Sequence, residues 1–234
     1  MFVFQFVSLG RRAGKTSIIV QLVKLFSKKG IRVGVVKHSH SYDPVFDLRS
    51  GEDAKDTVRF VEAGSAVTVV VTDELTVTIT NIEGLERVVE NFSNQVDIAF
   101  LEGFKETKCY PRVIVAEATS DISQLITSTT IAVTGKAAVM CYEELKHLYP
   151  SLNIARSAEE LAETLYSFMI ERVTEKIGGK SCGVCGYLNC EEFIKALRTG
   201  KARPTACPQV FPRVSVYLDG KPLSLNPFVQ SIIE

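Results

Sequence analysis

The segment Ser8-Leu9-Gly10-Arg11-Arg12-Ala13-Gly14-Lys15-Thr16-Ser17 places a glycine, an ammonium group and hydroxyls in the order that holds a nucleoside triphosphate. Backbone N–H groups at the opening of a helix point at an anion, and the helix dipole adds to their pull. Gly10 to Ser17 are therefore the expected nucleotide-binding residues: Gly10, Arg11, Arg12, Ala13, Gly14, Lys15, Thr16 and Ser17. Gly14 lets the backbone approach a phosphate, Lys15 reaches the β- and γ-phosphates, and Thr16 supplies a hydroxyl to Mg²⁺. The strict pattern asks for glycine at position 9, where Leu9 stands, with Gly10 one place late. Mg²⁺ needs a second oxygen donor near the end of a neighbouring buried strand. Asp97 and Glu102 flank such a strand, and ligands of open α/β sheets bind beyond the carboxyl ends, which favours Glu102.

A second set of reactive residues lies near the other end. Cys182, Cys185, Cys190 and Cys207 have the spacing C-x2-C-x4-C-x16-C, with Pro208 after the last and glycines among the first three. Four thiolates can close a metal centre, and flanking glycines let backbone N–H groups approach the sulfurs of an iron–sulfur cluster. Structural Zn²⁺ is the alternative, although zinc sites more often pair two C-x2-C units. Lys195, Arg198, Lys201 and Arg203 gather before the fourth cysteine, as a solvated helix face or as a patch for an acidic partner. Cys109 and Cys141 have no companions at ligand spacing. His38 and His40 would share a side of an extended strand, so a metal pair there also stays open.

These residues need a scaffold. Phe2 to Val7 reads as a strand, Ser17 to Phe26 as a helix closed by Gly30, and Ile31 to Val36 as a second strand, a βαβ unit that implies a parallel sheet. A helix follows over Asp53 to Ala63, then a hairpin of Ala66 to Val71 and Leu75 to Thr80, and a helix over Ile82 to Phe92. Val96 to Leu101, Arg112 to Ala116 and Ile131 to Thr134 read as strands, and Ala158 to Val173 as a helix capped by Ser157. The alternation predicts an α/β fold, a doubly wound, mostly parallel sheet of P-loop NTPase type. Gly178 and Gly179 mark a change of pattern, so a nucleotide domain over 1–177 and a small cysteine domain over 178–234 are expected. The latter offers a helix over Glu191 to Thr199, a strand over Val214 to Leu218, a turn at Asp219-Gly220 and a last helical turn over Pro227 to Ile233.

With 27 basic and 27 acidic residues, the chain has no overall field to attract nucleic acid or a membrane surface. No apolar run approaches the roughly 18 residues of a membrane span, and the apolar start lacks the features of a signal peptide. A cytoplasmic protein with reduced thiols is expected, with no nucleic-acid or membrane partner.

Three stretches resemble the MobB family of molybdopterin-guanine dinucleotide biosynthesis. They are the Gly-Lys-Thr loop, Val36-Lys37-His38-Ser39-His40 with the downstream run Asp56 to Ser65, and Leu101-Glu102-Gly103-Phe104-Lys105. The resemblance covers about residues 1 to 135. It implies a GTP-binding adapter that assists guanylylation of molybdopterin, or its tungsten analogue, with weak GTPase activity at most. Guanylyl transfer itself would belong to a MobA-like molybdenum cofactor guanylyltransferase. Lys37, His38, His40, Gly103, Phe104 and Lys105 would border the substrate cleft, and Glu102 would be the Walker B-like acid for Mg²⁺. Guanine preference comes from the resemblance alone, because the Asn-Lys-x-Asp motif is absent and Thr134-Gly135-Lys136 is a loose stand-in. The chain departs from the family over Asp47 to Asp53, so Asp47, Asp53 and Asp56 receive no substrate role. Family members dimerise through their sheets, and the 66–80 hairpin would be the pairing element. The cysteine segment resembles the small [4Fe–4S] domain of corrinoid iron–sulfur proteins. A nucleotide-gated electron-transfer protein and a zinc-stapled interaction module are the alternatives, and no residue stands out as the activator of water.

Overall fold

The computed structural model describes residues 1–10, 13–38, 60, 63–65, 67–71, 76–80, 84–93, 95–179, 181–211, 216–218 and 221–223. Apart from Phe60 and Ala63, the helix expected over Asp53 to Ala63 lies outside the described residues, as does the last turn expected over Pro227 to Ile233. The chain divides into two compact units, one made of Met1–Val36 with Phe92–Glu234, the other of Lys37–Asn91.

The first unit is built on a six-stranded sheet ordered β2-β5-β1-β6-β7-β8. Its strands are β1 (Phe2–Val7), β2 (Val33–Lys37), β5 (Ile98–Glu102), β6 (Arg112–Val115), β7 (Thr130–Thr134) and β8 (Asn153–Ile154). The pairs β1–β5, β1–β6, β6–β7 and β7–β8 are all parallel. β1 and β2 belong to one sheet, as their βαβ pattern requires, but β5 occupies the place between them.

Side chains alternate across the sheet, so each strand feeds two cores. Phe4 and Phe6 of β1 join Phe100 of β5, Val113 and Val115 of β6, and Ile19, Leu22 and Phe26 of α1 (Lys15–Lys28) in one buried cluster. Leu161, Leu165 and Met169 of α6 (Ala158–Lys176) complete that layer. Full burial of each large apolar side chain contributes roughly 1.5–3 kcal/mol. Val7 and Ile114 point the other way, against Ile122 and Leu125 of α3 (Thr119–Leu125) and Leu145 of α5 (Tyr142–Leu148).

Local signals set the boundaries. Gly14 opens α1 at φ 83°, and Gly30 closes it at φ 71° with its N–H on the Ser27 carbonyl. Ser157 caps α6 by accepting the Glu160 N–H at 3.2 Å, as the sequence predicts. The helices α3, α4 (Lys136–Met140) and α5, and the two-residue β8, were not anticipated, being too short for periodicity to declare them. Gly135, before α4, has φ 97°, and a Cβ there would fall 2.7 Å from the Ala116 carbonyl oxygen.

Beyond α6 the chain stays in the same unit. Val173 of α6 packs with Phe193 and Leu197 of α7 (Cys190–Arg198) and with Cys207 in a third buried cluster. The Tyr166 hydroxyl donates to the Leu197 carbonyl at 2.8 Å. The tail forms a short antiparallel pair, β9 (Val216–Leu218) with β10 (Lys221–Leu223).

The second unit holds an antiparallel pair, β3 (Val67–Val71) with β4 (Thr76–Thr80), in keeping with the expected hairpin. It also holds most of α2 (Leu85–Phe92). Among the described residues no helix is long and apolar enough to cross a membrane.

Candidate functional site

The turn from β1 to α1 brings Gly14, Lys15 and Thr16 to the opening of the helix. Gly14 adopts the left-handed conformation (φ 83°, ψ 11°) that presents the first amides of α1 to one side. Lys15 Nζ reaches back to the Ser8 hydroxyl and to the Gly10 carbonyl at 3.2 Å, so the ammonium lies across the mouth of its own loop. Ser8, fully buried, donates its hydroxyl to the Gly10 carbonyl at 2.6 Å. That bond tightens the front of the turn where Leu9 has displaced the expected glycine. Ala13, Gly14, Lys15, Thr16 and Ser17 fall at the helix opening, whereas Arg11 and Arg12 lie outside the described residues.

Glu102 ends β5 directly beside this loop, in register with Phe6 of β1. The Thr16 hydroxyl donates to Glu102 Oε1 at 2.7 Å. A hydroxyl and a carboxylate side by side at a phosphate loop are the hard oxygen donors that suit Mg²⁺. Asp97, the competing acid, sits at the opposite end of β5, bound to Arg32, and takes no part here.

The loop after Glu102 is held from below. Gly103 and Phe104 both have positive φ, 98° and 53°. For phenylalanine this conformation is strained, and it persists only where surroundings enforce it. Gln5, fully buried in β1, donates its amide to the Gly103 carbonyl at 3.3 Å and to the Phe104 carbonyl. Arg112, 3% exposed and paired in register with Gln5, donates to Gln5 Oε1 at 3.2 Å, to the carbonyls of Lys105 and Thr107 at 2.9 and 2.7 Å, and to that of Leu125 at 3.0 Å. Burial lowers the pKa of this guanidinium, against a smaller opposing pull from Glu106. Lys105 in turn donates Nζ to the Leu9 carbonyl at 3.2 Å, joining the two loops. Gln5 and Arg112 are the site-shaping residues that sequence reasoning missed; a glutamine inside Phe-Val-Phe-Gln-Phe-Val and an arginine heading Arg-Val-Ile-Val were the available signals.

Lys37 ends β2 and His38 follows it, both exposed. They belong to the unit of residues 37–91, and His40 lies outside the described residues.

Cys182, Cys185, Cys190 and Cys207 line one cavity of about 190 Å³. A space for a single water needs only about 10–15 Å³, so the cavity suits a group of several atoms. Among the described residues no group of three or more His, Cys, Asp or Glu side chains is placed to hold a metal ion. Cys190 opens α7. Burial raises the Cys207 thiol, backbone N–H groups of Val210 and Gln209 lower it, and Cys185 and Cys182 raise it further, leaving it above its ordinary value. Such a sulfur becomes a thiolate readily only beside positive charge, which a bound metal supplies. Cys109 is exposed and Cys141 half-buried, both apart from this cavity.

Comparison with known proteins matches residues 3–136, more than half of the chain, to the family MobB, "Molybdopterin guanine dinucleotide synthesis protein B". The chain belongs to the MobB family. Residues 179–209 match a second family model, "Putative Fe-S cluster". A relative from Methanocaldococcus jannaschii, named "Putative molybdopterin-guanine dinucleotide biosynthesis adapter protein", is 28% identical over 94% of this chain and 82% of its own length. A Haemophilus influenzae relative named "Molybdopterin-guanine dinucleotide biosynthesis adapter protein" is 30% identical over 40% of this chain and 52% of its own. A solved structure of molybdopterin-guanine biosynthesis protein B aligns at TM-score 0.52 and 19% identity, over 71% of this chain and 98% of that one. That likeness bears on the fold alone. The MobB match contains the Gly14-Lys15-Thr16 turn, Glu102 and the Gly103–Lys105 loop, while all four cysteines of the cavity fall within the second match.

Two outcomes follow for this MobB chain. Lys15→Ala should weaken nucleotide binding about tenfold to a hundredfold, the range for hydrogen bonds from a charged donor, with circular dichroism unchanged; calorimetric titration showing equal affinity would remove Lys15 from the site. Arg112→Met leaves several buried carbonyls without a donor and should cost about 3 kcal/mol or more in urea unfolding. A loss below about 0.5 kcal/mol, the range of an ordinary surface change, would contradict the strut assigned to it.

Proposed function

We propose that this chain is a GTP-binding adapter in molybdenum or tungsten cofactor biosynthesis, assisting a MobA-like guanylyltransferase as it attaches GMP to molybdopterin. The observation that carries the reading is the Thr16–Glu102 contact at the mouth of the phosphate loop, in a chain whose relatives are named as adapters of that pathway. Gly10 to Ser17, with Arg11 and Arg12, would wrap the phosphates, with Lys15 moving its ammonium from the Gly10 carbonyl to phosphate oxygens. Thr16 and Glu102 would hold Mg²⁺, which when bound draws charge from the phosphates. Lys105, already tied to the front of that loop, would shape the cleft with Gly103 and Phe104, and Lys37, His38 and His40 would border the nucleotide or pterin site, as the family resemblance implies.

None of the described groups around the loop is placed to activate water, so hydrolysis would be slow and the chain would act mainly as a nucleotide-dependent partner. Residues 1–177 would form the nucleotide part and 178–234 the cysteine part, a division supported by the two matched ranges. Cys182, Cys185, Cys190 and Cys207 would hold a [4Fe–4S] cluster, supported by the shared cavity and by the family match over residues 179–209. A cytoplasmic homodimer joined through the β3–β4 hairpin completes the proposal.

The test is a paired measurement on anaerobically purified protein: titration with GTP and with ATP, and co-purification with the guanylyltransferase. GTP should bind at least about tenfold tighter, a difference of roughly 1.4 kcal/mol, and the transferase should be retained. Equal binding of the two nucleotides together with no association would overturn the adapter reading.

A further inference from the structure

Asp97, unused at the nucleotide end of β5, lies about 16 Å from Glu102 by the rise of five strand residues. It is 1% exposed, and a buried carboxylate is costly unless every lone pair finds a donor. Arg32 supplies three: its backbone N–H at 2.9 Å and Nε at 3.2 Å to Oδ2, and a terminal guanidinium nitrogen at 3.1 Å to Oδ1. The rest come from the cysteine segment. The Thr205 hydroxyl donates to Oδ1, and the Arg203 guanidinium stands 3.8 Å from Oδ2. Burial pushes the carboxyl up, yet the Arg32 and Thr205 hydrogen bonds outweigh it and hold Asp97 below the usual carboxylate range.

Thr205 precedes Cys207 by two residues. The other three cysteines sit within one nine-residue span, 182–190, so closing the four-sulfur site depends on how the arm bearing Cys207 is placed. Before Cys207 that arm is fastened to Asp97. After it, the N–H groups of Val210 and Phe211 turn back to the Cys207 carbonyl at 3.2 and 2.9 Å, and the Phe211 ring meets Phe2 of β1 at 5.0 Å between centroids. Phe2 itself donates its N–H to the Asp97 carbonyl at 2.9 Å. Both sides of the fourth cysteine are thus anchored to the start of the sheet, while the arm also meets the cysteine loop, where the Tyr187 hydroxyl donates to the Lys201 carbonyl at 3.4 Å and Cys185 packs in the same cluster.

We propose that Asp97 is a positioning residue for the metal centre, latching the arm that carries Cys207 onto the nucleotide-binding sheet so that the fourth sulfur meets the other three. This rests on the cluster reading given above. The cysteine site is on this view completed by the sheet, and loses its fourth ligand when the latch is opened.

The test uses the full chain, purified anaerobically, as parent, Asp97→Asn, Thr205→Val and Thr205→Ser. Iron and sulfide per chain are measured, with the rate at which a chelator bleaches the visible absorbance and the affinity for nucleotide as a separate readout. Asp97→Asn and Thr205→Val should bleach about tenfold faster, the effect of one hydrogen bond to a charged acceptor. Thr205→Ser, which keeps the hydroxyl, should bleach at the parental rate, and nucleotide affinity should stay within about twofold in all, a difference of only a few tenths of a kcal/mol. If Asp97→Asn does not fold, the contrast between Thr205→Val and Thr205→Ser decides. Parental bleaching rates in Thr205→Val overturn the latch. A parent that holds zinc in place of iron overturns the cluster reading but not the latch, which is then read from zinc release in the same variants; a parent with neither metal overturns both.

Discussion

Everything in the first unit depends on the parallel pairing of β1 with β5, in which Phe6 stands opposite Glu102 and Phe2 opposite Ile98. β5 is buried along its whole length and carries a carboxylate at each extremity, Asp97 just before it and Glu102 as its last residue. The register is fixed by Phe4, Phe6 and Phe100, which meet on one face with Phe26. A slip of one residue would turn those rings to the opposite face and carry Glu102 away from Thr16. One strand pairing therefore sets the position of the acid at the phosphate loop and of the acid that meets the cysteine arm.

The nucleotide end is organised before any nucleotide arrives. Gln5 and Arg112 lie among apolar side chains, and their hydrogen bonds end on main-chain carbonyls of the 103–107 loop. In a low-dielectric interior such bonds are strong when complete and costly when broken, so they hold the loop in one conformation. The strained backbone of Phe104 is the visible result. A site whose donors are already in place loses less entropy on binding.

Much of this was legible in the sequence. Gly14, Lys15 and Thr16 between an apolar strand and a helix declared the phosphate loop, and the choice of Glu102 over Asp97 followed from the rule that ligands bind at carboxyl ends of strands. The long helices declared themselves by period, and the cysteines by spacing. What stayed hidden was the purpose of polar residues inside strands. Gln5, Asp97 and Arg112 are explained by partners 98, 108 and 5 to 107 residues away, and no local pattern encodes such distances. The short elements α3, α4, α5 and β8 were hidden for another reason, since one or two turns bury too few residues to show a period. The fourth cysteine was legible by its spacing, but not its attachment to the sheet.

On the proposed function, Thr16 and Glu102 act together on the Mg²⁺ of a bound nucleotide. The most direct measurement is the Mg²⁺ dependence of GTP affinity in the parent, Thr16→Ala, Glu102→Gln and the double variant. If the pair shares one ion, Mg²⁺ should tighten binding in the parent, each single change should remove most of that gain, and the double change should cost little more than either alone. An undiminished Mg²⁺ effect in Glu102→Gln, or fully additive losses, would contradict it.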